Sequence, residues 1–141
     1  MIGEHTKGGL TAAFYHRESD YLTIERIERD GKACAAIRGT EKVIIDAQSA
    51  LELLLNANAI TETKRLVVPK ELIVEEFFIL SSGLAGEVLQ KLINYGGRIA
   101  IYGDFTRYTS KPLRDFMYES NKGRDVYFAA TEDEAVAAMT R

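Results

Sequence analysis

The chain has 141 residues, 46% of them hydrophobic and 28% charged, with a formal net charge of -3. That is enough apolar material for one domain with one core. There is no global basic field to hold a nucleic acid backbone, and no apolar run has the length of a bilayer span, so neither nucleic acid nor membrane is an expected partner. The single cysteine, Cys34, excludes an internal disulfide. Lying among Ala33, Ala35 and Ala36, it reads as a buried structural thiol.

Residues 1–20 show no sustained period and carry Gly3, Gly8 and Gly9. They read as a loose leader with a turn of helix over 12–16, ahead of a single domain over 21–141. The opening Met1-Ile2-Gly3-Glu4-His5 lacks a basic end followed by an apolar run. No secretory signal is expected from it, and the expected location is cytoplasmic. Residues 21–28 are strand-like through Leu22, Thr23, Ile24 and Ile27; Asp30-Gly31 gives a tight turn, and 33–38 return as the second strand of a hairpin.

Val43-Ile44-Ile45 leads into a helix capped by Asp46, with Ala47, Ala50, Leu51, Leu54 and Leu55 as its apolar stripe. Leu66-Val67-Val68 is a short buried strand ended by Pro69, and 70–79 is a linker anchored by Phe77 and Phe78. A second helix begins at Ser82 or Gly83, buries Leu84, Ala85, Val88, Leu89, Leu92 and Ile93, and stops at Gly96-Gly97. Arg98-Ile99-Ala100-Ile101-Tyr102-Gly103 is apolar on both faces, as a central parallel strand requires. Ser110 caps a third helix with Pro112 in its first turn and Leu113, Phe116 and Met117 inside. Residues 126–130 form another buried strand, and Thr131-Glu132-Asp133-Glu134 opens a last helix as a capping box. The fold class is therefore α/β: an N-terminal β-hairpin followed by α-β-α-β-α-β-α, with a mostly parallel sheet and one antiparallel strand.

Leu80-Ser81-Ser82-Gly83-Leu84 followed by helix, Gly96-Gly97-Arg98, strand, helix, strand and an Ala-rich last helix resembles the STAS domain of the anti-anti-sigma factors. The usual pattern there is Asp-Ser-Ser-Gly-Leu, whose first serine is phosphorylated by a partner kinase. The resemblance implies a STAS-like fold and places Ser81 at the phosphorylated position. Leu80 stands where that pattern has its aspartate, an acid that helps prepare the site for the kinase. Three further stretches are more specific: Leu84-Ala85-Gly86-Glu87-Val88-Leu89-Gln90-Lys91, Gly103-Asp104-Phe105, and Thr109-Ser110-Lys111-Pro112-Leu113-Arg114-Asp115-Phe116. Together with Glu119-Ser120-Asn121-Lys122-Gly123, they are similar to the uncharacterised bacterial domain-of-unknown-function family 4180. That resemblance covers roughly residues 21–140 and implies a fold rather than an activity.

Ligands in open α/β sheets gather beyond the carboxyl ends of parallel strands. Ser81-Ser82-Gly83, Gly103-Asp104-Phe105-Thr106 and the stretch from Tyr108 through Ser110 to Lys111 should converge there, with Asp46 nearby. A serine turn at a helix start offers hydroxyls and free N–H groups at the positive end of the dipole. Phe105 or Tyr108 would supply an aromatic anchor. The competing account of Ser82 and Ser110 is plain capping. Glu87 and Lys91, spaced i, i+4, read as a solvent pair or as part of a polar site with Gln90. Asn121 reads as a helix-end residue, and Tyr102, Tyr118 and Tyr127 as core or rim. A local basic excess runs over 104–124, where Arg107, Lys111, Arg114, Lys122 and Arg124 outnumber Asp104, Asp115 and Glu119.

His5 and His16 are the only histidines and lie in the leader, so no zinc-ligand spacing and no nucleophile–histidine arrangement exists. No cofactor or metal is expected. The expected function is a non-enzymatic regulatory or partner-binding module using the helix-start surface around Ser81, Asp104 and Ser110, with Ser81 open to phosphorylation and an unidentified protein as partner. The alternative is a small-molecule or anion sensor, the anion held at the start of the second or third helix. An enzyme would need Glu87, Lys91 and Asp104 in one polar cluster. The hairpin's free edge offers a surface for a homodimer.

Overall fold

The computed structural model describes residues 11–17 and 20–141. Of the loose leader expected over residues 1–20, residues 1–10 and 18–19 lie outside that range, while 11–17 and 20 belong to strands. Ten elements follow in order: strands β1 (Thr11–Arg17), β2 (Asp20–Arg29) and β3 (Lys32–Gly39), helix α1 (Ala47–Thr61), strand β4 (Arg65–Pro69), helix α2 (Leu84–Asn94), strand β5 (Arg98–Tyr102), helix α3 (Lys111–Ser120), strand β6 (Val126–Ala129) and helix α4 (Glu132–Met139). Between β4 and α2 the chain makes three single turns of 3-10 helix.

The strands form one sheet in sequence order, β1 to β6. β1–β2 and β2–β3 pair antiparallel; β3–β4, β4–β5 and β5–β6 pair parallel. The expected α/β alternation is present. The expected helical turn over 12–16 is not: those residues belong to β1, in register with β2 from Thr11 opposite Glu25 to Arg17 opposite Asp20. The Asp30-Gly31 turn joins β2 to β3 with φ of 54° and 80°, the two positive values that a tight hairpin needs.

The two faces of the sheet are packed differently. Ala35, Ile37, Leu66, Val68, Ile99, Ile101 and Phe128 point to one core with α1, α2 and Leu113 of α3. Their alternates Cys34, Val67, Ala100 and Ala129 point to the other face and meet Ala135, Val136 and Met139 of α4. Mostly small residues on this second face let the short alanine-rich helix sit close to the strands. Burial raises the Cys34 thiol to about 11, as expected for a structural cysteine.

Local signals set the helix starts. Asp46 Oδ1 accepts from Ser49 N at 2.8 Å, and Ser49 Oγ accepts from Asp46 N at 3.0 Å, a reciprocal cap for α1. Thr131 Oγ1 caps α4 through Glu134 N, while Glu134 Oε1 reaches back to Ala130 N, one residue beyond the usual box. Two expected core positions face out: Leu55 is 47% and Ile93 39% exposed. Each lies at the margin of its stripe, where no element among the described residues covers it.

Candidate functional site

Three strand ends build the site. β4 gives way to Lys70, β5 to Gly103 and β6 to Ala130. Gly103 N donates to Ala129 O at 3.0 Å, which ties the ends of β5 and β6 together. A Cβ on Gly103 would lie 2.7 Å from Lys70 Cγ, and its φ is +155°. Only glycine lets the chain leave β5 across the Lys70 stem.

The loop after Gly103 is held by its own side chains and by aromatic packing. Asp104 Oδ1 accepts from Thr106 N at 3.0 Å and from Thr106 Oγ1 at 2.6 Å. These bonds hold the exposed carboxyl below the usual range, helped by the charges of Lys70 and Arg107. Phe105 and Tyr108 turn inward and pack on the buried Phe78, with ring centroids 6.0 and 5.3 Å away. Phe105 also meets Phe128 edge-on at 5.8 Å. The Tyr108 hydroxyl donates to Glu75 Oε2 at 2.7 Å, and Lys70 and Arg107 lie 5.4 and 5.2 Å from its ring. Burial, then the Glu75 contact, pushes the Tyr108 phenol up. One tyrosine thus fastens the β5–α3 loop to the segment ahead of α2.

The two serines before α2 have different roles. Ser82 Oγ donates to Glu76 O at 2.9 Å and accepts from Leu84 N at 3.2 Å, so it ties the first residue of α2 to the preceding turn, while Gly83, whose φ is +82°, holds the N-cap position. Ser81 is exposed, and its hydroxyl has no partner among the described residues. Ser110 accepts from Leu113 N at 3.4 Å and caps α3, while Lys111 pairs with Asp115 at 2.6 Å.

Two concavities result. A groove of about 460 Å³ carries Ser81 and Ser110, with Phe78, Ile79, Leu80 and Pro112 as its apolar walls. A larger cavity of about 750 Å³ lies beside it, between α3 and the ends of β5 and β6. Asp104, Phe105, Thr106 and Tyr108 line it from the loop, Arg114 and Tyr118 from α3, and Asn121 from the position just after α3. Ser81 and the Asp104 loop therefore converge on one end of the sheet but open into adjacent hollows.

A family model described as "Domain of unknown function (DUF4180)" matches residues 29–139. The chain belongs to this family. No curated protein and no solved structure matches it. The span matching DUF4180 begins at the last residue of β2 and ends with α4, so it contains both concavities and omits β1.

Other expected site residues of this DUF4180 chain stand apart. Glu87 and Lys91 line neither concavity, and no ion pair joins them to each other or to Asp104 among the described residues. Asp46 is engaged by Ser49 at the start of α1. Sequence reasoning missed Lys70 and Glu75, which frame Tyr108, and gave Arg114 only a share in a basic excess. It also missed the opposite face, where Arg38 makes a two-pronged contact with Glu132 at 3.1 and 3.0 Å and reaches Glu25 at 2.6 Å. Tyr102 donates to the same Glu132 carboxylate at 3.2 Å. The sequence marked Glu132 only as an acid in a first helical turn.

Proposed function

We propose that this chain is a non-enzymatic regulatory module that receives a protein partner in the groove between the starts of α2 and α3. One observation carries the reading. Ser81 and Ser110, 29 positions apart (110 minus 81), share a groove with apolar walls, and Ile79 beside them is 52% exposed. A partner's apolar side chain would bury Ile79 and Leu80 there, and Ser81 would meet its backbone or a polar neighbour.

The same place would serve as a switch. A phosphate on Ser81 would bring a charge of roughly -1.5 to -2 to the groove wall. The start of α2 would stabilise that charge, whereas an incoming apolar side chain would have to desolvate it. The resemblance of Leu80-Ser81-Ser82-Gly83-Leu84 to the STAS pattern supports the position, and the exposure of Ser81 supports its accessibility. Leu80 supplies no acid, so the kinase would bring its own. A cytoplasmic setting accords with such a kinase. Among the described residues no helix is long and apolar enough to cross a membrane.

The test is affinity capture from the native host with the wild type, Ser81→Glu and Ile79→Asp, followed by mass spectrometry. The reading expects one or more proteins captured by the wild type and lost with both variants. An identical captured set for all three removes the groove as the docking site.

A further inference from the structure

We propose that the cavity between α3 and the ends of β5 and β6 binds a small hydroxyaryl acid, its ring against Phe105 and Phe128, its anionic group on Arg114 and its hydroxyl on Asp104. The site is distinct from the groove at Ser81 and does not depend on the partner reading above.

Size and place come first. At about 750 Å³ the cavity falls in the range of small-molecule sites. It lies beyond the carboxyl ends of two parallel strands, where open α/β sheets gather ligands. Gly103, Ala129 and Ala130 leave the floor free of side-chain bulk. A ring is the body that the walls favour. Phe105 and Phe128 meet edge-on, and Tyr118, 67% exposed on the rim, adds a third aromatic surface. Edge and face contacts of this kind reward a planar guest beyond its area.

The polar groups give the substituents. Arg114 lines the cavity and has no ion pair or side-chain hydrogen bond among the described residues. Its neighbours on the same stretch are paired: Lys111 with Asp115 and Lys122 with Glu119. A planar guanidinium without a partner matches a carboxylate or phosphate with two parallel hydrogen bonds. Asp104 uses Oδ1 for both bonds from Thr106, leaving Oδ2 without a partner among the described residues. An ionised carboxylate only accepts, so it asks for a donor on the guest. The Asn121 amide is held by two hydrogen bonds to the backbone of Phe128, which fix its place in the wall. One cation, one anion and aromatic walls together specify an aromatic acid with a ring hydroxyl.

The test is calorimetric titration of the full chain with 4-hydroxybenzoate, 4-hydroxyphenyl phosphate, benzoate, 4-hydroxybenzamide and inorganic phosphate. At least one hydroxyaryl acid should bind about tenfold more tightly than the neutral amide, and also more tightly than benzoate. The carboxylate and phosphate arms tell which anion the site prefers. Arg114→Gln should remove the preference over the amide while leaving the melting temperature of the free protein unchanged, since Arg114 is exposed and has no partner among the described residues. Ala130→Phe should fill the floor and weaken every aromatic ligand. The proposal is overturned if neither acid binds at millimolar concentration, if acid and amide bind alike, if inorganic phosphate binds as well as the aryl compounds, or if both variants bind as the wild type does.

Discussion

Asn121 takes the place of a neighbouring strand beside Phe128. Its Nδ2 donates to Phe128 O at 2.9 Å, and its Oδ1 accepts from Phe128 N at 2.7 Å. β6 is the outermost strand, and β5 uses Asp125 O and Ala129 O on it, so the backbone of Phe128 faces away from the sheet. The residue that ends α3 thus satisfies and covers an edge that would otherwise invite pairing. Asn121→Ala should cost about 1–3 kcal/mol, read as a lower urea midpoint at unchanged slope. Asn121→Asp keeps the acceptor but sets a carboxylate oxygen against Phe128 O, and should cost at least as much as the alanine variant. An unchanged midpoint for the alanine variant would mean that water replaces the amide at no cost.

The serines before α2 give a paired prediction. Ser82 holds Glu76 O and Leu84 N, so Ser82→Ala should lower stability by about 0.5–1.5 kcal/mol, the net worth of an ordinary hydrogen bond. Ser81→Ala should change the melting temperature by less than the scatter between preparations, because its exposed hydroxyl has no partner among the described residues. If Ser81→Ala proved the more damaging, the division of labour between the two hydroxyls would be the reverse of that drawn here. The contrast makes Ser81 variants clean probes of binding.

Much of the fold was legible because its signals are local. Asp46, Ser110 and Thr131 cap the helices that their sequences announce, and Asp30-Gly31 makes the turn that its residue types require. β1 was not legible, since Thr11-Ala12-Ala13-Phe14-Tyr15 shows no two-residue alternation and its identity rests on pairing with β2. Leu55 and Ile93 follow helical spacing yet face out, because spacing gives the direction of a stripe and neighbouring elements give its width. The site was half legible. Strand-end topology drew Ser81, Asp104 and Ser110 toward one end of the sheet. It could not show that a wall carrying Phe78, Phe105 and Tyr108 divides them between two hollows, nor that Arg114 and Asn121 face the second, since these contacts join residues distant in the chain.

Alkaline pH should weaken the fold through two groups on the α4 face. Burial raises the Cys34 thiol from an ordinary 9.0 to about 11. Burial, reinforced by the Glu132 charge, raises the Tyr102 phenol from 10.0 to about 12. Both folded values exceed the unfolded ones, so the folded chain holds these protons more tightly. Their contribution is complete below the unfolded values and is lost as pH rises through the folded ones. Urea midpoints should therefore fall from about pH 9 upward. Cys34→Ala should fall less steeply over the thiol's range, whatever its stability at neutral pH. Parallel curves for the two proteins would show that the thiol contributes nothing to the alkaline loss.

Glu132 should govern how firmly α4 is attached. The helix has only eight residues, too few to persist alone, and owes its place to burial of Ala135, Val136 and Met139 and to the Arg38–Glu132 contact. The pair is partly open to solvent, with side chains 40% and 32% exposed, so screening keeps its contribution to about 1 kcal/mol. Glu132→Ala also removes the acceptor for the Tyr102 hydroxyl and leaves Arg38 with Glu25 alone. Hydrogen exchange should then quicken across 132–140 while protection of β4 and β5 is kept, because the apolar contacts on the other face remain. Arg38→Met should loosen the same helix, and the double variant Arg38→Met with Glu132→Leu should recover part of the loss, since neither charge is then left without its partner. Exchange unchanged in both single variants would assign the attachment of α4 wholly to its apolar face.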